Sequence, residues 1–238
     1  MSALKERYRR LARDSRQEKP MSFPILLWLF IAGSLLGFAM EGVWHLLRTG
    51  EWGFRVATLW GPFCIIYGAG AVVMYLIALA MEAKRPLWQF GAFALAGSAV
   101  EYLSSLFQEI SFGTVSWDYS HHAFNLGGRI SLKMTLIWGV LGMALMYGLL
   151  PLLLSGFNRL RLADRTLLYR AAAIFMCVNL LWTGIALLRW QERILHSTPA
   201  SNIMEAYMDR AWPDERMRER FPNMTFVSQK TNGQAPSP

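Results

Sequence analysis

The sequence is short of charge. Lys, Arg, Asp and Glu make up 17% of its 238 residues, where a soluble chain carries about a quarter. That shortage argues against a disordered segment, a coiled coil or a nucleic-acid-binding module. Cysteine is scarcer still. Cys64 and Cys177 are the two present, both in apolar runs, so there is no disulfide framework and no CxxC ligand spacing, and both read as small hydrophobes. GxxxxGK[ST] is missing, so the chain cannot bind ATP by a P-loop, and HExxH is missing as well. Glu41, His45, Asp118, His121 and His122 are of ligand type, but nothing in their spacing demands a metal. Neither metal nor cofactor is expected.

What the chain has in abundance is apolar surface: 54% hydrophobic residues, with ten Trp and 14 Phe. A bilayer core about 30 Å thick takes roughly 20 apolar residues to cross as a helix, and five stretches qualify: 21–47, 60–81, 87–110, 131–154 and 167–190. The connections between them are short and polar. No lipid-exposed backbone can be left open at that depth, so the expected fold is all-α, a polytopic membrane bundle of about five spans. The first span runs long without an AxA-like end, so it reads as retained and not as a cleaved signal.

The net charge of +8 is a topology signal. Seven of the basic residues fall in the first nineteen positions. With the N-terminus cytoplasmic, that side collects twelve Lys and Arg near the spans against six opposite, which favours this orientation. Residues 1–20 are a basic cytoplasmic arm and 21–190 the membrane domain. Residues 191–229 are a charged tail suited to an interfacial helix or two, interrupted at Pro199 and Pro213. Residues 230–238 are Gly, Pro, Ser, Gln and Asn in composition and read as disordered.

Ionisable groups within spans cost about 2.5–3.5 kcal/mol each on insertion scales. Glu41 shares a helical face with His45 and Arg48, and Glu101 heads a stripe with Ser104, Ser105 and Gln108, with Glu109 one position round. Both faces should turn into the bundle. Two readings stay open for these acids: interhelical glue, with Glu41 neutralised by His45 or Arg48, or a transport or proton-relay role. Asn179 and Thr183 repeat the pattern weakly and read as packing. Gly33 and Gly37 form a GxxxG pair, Gly68 and Gly70 flank Ala69, and Gly61-Pro62 should cap or kink the second span. No strong internal repeat is present, although the first and third spans share a loose plan, Gly33, Gly37 and Glu41 in one and Gly91, Gly97 and Glu101 in the other. The loop GTVSWDYSHHAFNLGGR, residues 113–129, suits either an aromatic belt with turn chemistry or a binding or gating role.

Trp60-Gly61-Pro62-Phe63-Cys64-Ile65-Ile66-Tyr67-Gly68-Ala69-Gly70 resembles an element of the bacterial ABC-transporter type IV (CmpB-like) membrane family. Trp117, Asp118, Tyr119 and Ser120, with Phe124, Asn125, Leu126, Gly128, Arg129 and Ile130, resemble a second element, and Trp138-Gly139, Glu41 and Glu101-Tyr102 also match. The resemblance covers about residues 30–145. Ile65 or Ile66 and Ala123 stand where the family commonly has proline. The resemblance implies a small multi-pass protein of the bacterial inner membrane, partnered by the bilayer and by a separate ATP-binding subunit or another membrane protein, with no nucleic-acid role. The leading expectation is a transport-related, permease-like subunit without its own ATPase. Arg129 would pair with Asp118 or one of the glutamates in a lid over the bundle mouth. The alternatives are a membrane enzyme using these acids with His121 or His122 on a lipid, or a scaffold that binds a partner through its tail.

Overall fold

A computed structural model describes residues 21–53, 55–82 and 84–228. The basic arm and the terminal residues 229–238 lie outside the described residues. The fold is an all-α helical bundle, as the apolar runs require. Helix α1 spans Phe23–Thr49, α2 Ile65–Met81 and α3 Pro86–Phe112. Helix α4 (Leu132–Ala144) passes through a π-helical turn, Leu145–Leu149, into α5 (Leu150–Arg159), and α6 spans Thr166–His196. The short helices α7 (Ile203–Ala211) and α8 (Asp214–Arg220) follow.

Local chemistry sets these boundaries. Prolines at the first turns of α1 and α3 give up an amide that would be unpaired there anyway, and Gly50 and Gly113 close the same helices in the left-handed conformation, φ 81° and 61°. Ser131 caps α4 through the Met134 amide. The π turn ahead of Pro151 is where the chain absorbs a proline in mid-helix: the Leu150 amide bonds the Leu145 carbonyl, five residues back.

Among the described residues, four helices are long and apolar enough to cross a membrane: Phe23–Thr49, Pro86–Phe112, Leu132–Arg159 and Thr166–His196. The fifth expected span is shorter. It begins at Ile65, not Trp60, and its 17 residues reach about 26 Å at 1.5 Å per residue, less than the hydrocarbon thickness. Residues 60–64 are non-helical, so Gly61-Pro62 neither caps nor kinks a helix but lies in an unwound lead-in, with Gly61 at φ 75°.

Open backbone at such depth needs protein partners, and α6 supplies them. Asn179 accepts from the Trp60 amide and donates to the Trp60 carbonyl, while Thr183 accepts from the Leu59 amide. Packing and pairing is therefore the role Asn179 and Thr183 play. The Cys64 amide reaches the Ser34 carbonyl of α1 at 3.0 Å.

Two clusters form the core. The first lies among α1 to α5, around Tyr75, Phe93, Trp138 and Leu150. The second joins α6 to the tail, where Trp190 and Leu187 meet Met208, Met217, Phe221 and Phe226. Large apolar side chains such as Leu95, Leu103, Val140 and Leu181 face outward, the arrangement that suits a lipid solvent. Cys177 is exposed and Cys64 half-buried, both as free thiols.

The α1–α2 loop, the α3–α4 loop and the tail all meet at one end of the bundle. Strand β1 (Thr114–Val115) pairs antiparallel with β4 (Thr225–Phe226), and Arg220 donates to the carbonyls of Thr58 and Gly61. Strands β2 (Asn125–Leu126) and β3 (Ile130–Ser131) form a hairpin. The tail thus folds back over the bundle, held by Arg189 and Arg193, which share Asp209 at 2.7 and 2.6 Å.

Candidate functional site: a cavity between two acids

Glu41 and Glu101 turn inward and line one cavity of about 460 Å³. Their partners differ. Glu41 accepts from the Tyr67 hydroxyl at 2.6 Å and pairs with Arg55 at 3.3 Å. Glu101 accepts from the Trp138 indole at 2.5 Å and the Tyr119 hydroxyl at 2.8 Å. The rings of Tyr67 and Trp138 lie side by side, 6.0 Å between centroids, so the two carboxylates are joined by an aromatic wall. Glu101 is 4% exposed, and among the described residues no Lys or Arg forms an ion pair with it.

Each ring has a glycine to thank for its place. A Cβ on Gly37 would run into the Tyr67 ring, and one on Gly97 would come within 2.6 Å of Trp138. Each glycine stands four residues before its acid, one helical turn away on the same face. The close approach of the neighbouring helix therefore carries a donor straight to the carboxylate. Gly33 and Gly68 extend this contact along α1 and α2: a Cβ on Gly33 would meet Ala71 at 2.6 Å, and one on Gly68 would meet Ser34. Gly70 faces Trp138.

The loop between α3 and α4 is built to aim Tyr119. Asp118 accepts from the Ser120 amide and hydroxyl, an Asx turn. The Tyr119 amide bonds the Gly128 carbonyl at 2.7 Å. Asn125 accepts from the Gly128 amide and donates to the carbonyls of Ser120 and His122, and the Trp117 indole donates to the Arg129 carbonyl. Gly127 and Gly128 turn the hairpin at φ 59° and 69°, and a Cβ on Gly128 would press on Asp118 and Ser120. Burial and the neighbouring Glu101 push the Tyr119 phenol above its ordinary value, so it keeps its proton and remains a donor.

The structure does not gather every expected residue here. Arg129 pairs with Glu109 at 2.7 Å, bonds Ser105 and lies over the Tyr102 ring. That pair clamps the loop to α3 and lies off the cavity, and Arg129 takes Glu109 in place of Asp118. His45 interacts with the Thr49 hydroxyl and the Glu51 carbonyl. Glu41 is thus met by Arg55 and Tyr67, not by His45 or Arg48. Within the α3 stripe, Ser104 and Gln108 line the cavity, and Gln108 bonds Thr114 and Ser116. His121 and His122 do not line it; His122 borders a separate apolar groove beside Lys133 and Leu136.

Arg55 and the tail residues Phe221, Pro222, Asn223 and Met224 also line the cavity and were not singled out by sequence reasoning. The readable signal was the glycine one turn before each acid. No group of His, Cys, Asp and Glu suited to a metal ion occurs among the described residues.

The fold and this site define a polytopic helical membrane protein with an acid-lined cavity closed at one end by loops and tail. The chain belongs to the family described as "Putative ABC-transporter type IV", which it matches over residues 28–184. The match runs beyond the motif-bearing residues to include Asn179 and Thr183 of α6. No curated protein and no solved structure matches the chain.

Proposed function

We propose that this protein is a transport-related, permease-like subunit of the bacterial inner membrane, with its N-terminus cytoplasmic and without an ATPase of its own. Glu41 and Glu101 form the polar station on the pathway. The observation that carries this reading is the cavity itself: two acids of membrane-length helices turned toward one space large enough for a small molecule. Interhelical glue alone calls for hydrogen bonds but for no space between them. Any ATP hydrolysis comes from a separate chain, since no P-loop occurs in these residues. The enzyme reading keeps its acids but not its histidines, since His121 and His122 do not line the cavity.

Transport requires the station to open in turn to both sides of the membrane. With Cys64 and Cys177 replaced by alanine, Ser104→Cys should react with a membrane-impermeant thiol reagent added from either face, whereas Leu103→Cys on the outward apolar face should resist both. Reaction of Ser104→Cys from one face only, or from neither, would sink the transport reading.

A further inference from the structure

The charges around the cavity do not balance. The side chains lining it that carry a formal charge at neutral pH are Glu41, Arg55 and Glu101. Arg55 is paired with Glu41, so these two cancel. Among the described residues, Glu101 has only the neutral donors Trp138 and Tyr119. The cavity is therefore left with a formal charge of minus one, placed on its most deeply buried acid. A buried carboxylate is costly unless it takes up a proton or a positive partner completes it.

The remaining chemistry narrows that partner. A metal ion is a poor fit, since no metal-binding group of His, Cys, Asp and Glu is present among the described residues and both Glu101 oxygens already accept hydrogen bonds. The space, about 460 Å³, suits a small organic molecule, whereas a water occupies about 30 Å³. The walls include the aromatic rings of Tyr67, Trp138, Trp117 and Tyr119. An aromatic face attracts a cation lying within about 6 Å of its centre, and more strongly when water is excluded.

We propose that the cavity binds an organic monocation, of the substituted-ammonium class, with its positive centre between Glu101 and the Tyr67–Trp138 wall. This rests on the transport reading and names its cargo. Ser104 and Gln108 offer polar groups to a hydroxyl or amide elsewhere on the ligand, and Phe221 and Met224 of the tail cover its apolar side.

The test uses two probes of equal shape. The full-length protein in lipid nanodiscs is titrated calorimetrically with choline and with 3,3-dimethylbutan-1-ol, in which carbon replaces the charged nitrogen. Choline should bind about tenfold or more tightly than the neutral probe. Arg55→Gln takes the formal charge to minus two and should tighten choline by about tenfold, while Glu101→Gln should abolish binding. Equal binding of both probes, binding of neither, or displacement of choline by an equal concentration of potassium would overturn the proposal, and these outcomes need no variant. Weaker choline binding in an Arg55→Gln protein that keeps its unfolding midpoint would overturn it too. Loss of choline binding with Ser104→Cys still open to both faces would remove the cargo and leave transport standing. Choline binding with one-sided Ser104→Cys would leave an organic-cation receptor in place of a transporter.

Discussion

The α1–α2 hairpin and the α3–α4 hairpin solve one problem in two ways. Each places an acid within a helix long and apolar enough to cross a membrane, and each uses a glycine one turn earlier to bring an aromatic donor of the next helix against it. In the first hairpin the acid is 22% exposed and answered by the arginine of its own loop. In the second the acid is buried, and the loop answers with a tyrosine hydroxyl. A loop that carries Arg55 neutralises its glutamate; a loop that carries Tyr119 only solvates one. Two similar scaffolds thereby yield one closed ion pair and one anion with room beside it.

The comparison breaks most visibly at the glycines. Gly97→Val forces a branched side chain into Trp138 and should cost about 3 kcal/mol, seen as a large fall in the unfolding midpoint of the detergent-solubilised protein. Gly91, which shares the small-residue plan but has open space around it, should accept alanine without loss. Equal effects at both positions would show that the approach to Trp138 does not shape the hairpin.

The acids come next. Glu101→Gln sets an amide against two donors and should cost about 2 kcal/mol, because one buried donor is left without an acceptor. Glu41→Gln leaves a half-exposed Arg55 that water can reach, and should cost about 1 kcal/mol. The reverse order, measured by the same unfolding assay, would refute the contrast between the hairpins.

A smaller effect tests how the tail ties the two hairpins together through Arg220 and β4. Arg189, with Arg193 beside it, holds the Asp209 carboxyl below its ordinary value. A carboxylate with a lowered native value contributes stability above its unfolded value, and that contribution is lost as pH falls through the native one. The tail should therefore stay docked at neutral pH and loosen below about pH 4, read as protease cleavage near Pro199. Asp209→Asn should bring the same cleavage to neutral pH, at a cost of about 0.8 kcal/mol. The smallest change is at Arg48, which shares a helical face with Glu41 but does not reach it: Arg48→Gln should alter stability by less than about 0.5 kcal/mol.

The hydrophobic runs made the helices legible because a bilayer demands continuous apolar length, and the same logic forced Glu41 and Glu101 to face inward. It failed at residues 60–64. There the run is apolar but the backbone is unwound, and what permits this is Asn179 and Thr183 more than a hundred residues later. The WDYS loop stood out by composition, yet its residues mostly bond one another, and only Tyr119 reaches the cavity acids. Arg55 was invisible as a partner because it lies in the loop beyond the end of α1 at Thr49, where helical spacing no longer says what faces Glu41.

Sequence alone settled the class of protein, the approximate spans and the two inward-facing acids, since these follow from the solvation cost of charge and backbone in hydrocarbon, which acts residue by residue. Which donor meets which acid, where the second span unwinds, and how the tail covers the mouth were decided by tertiary structure. Those depend on side chains brought together across helices, and no local pattern encodes a distance between residues on different helices.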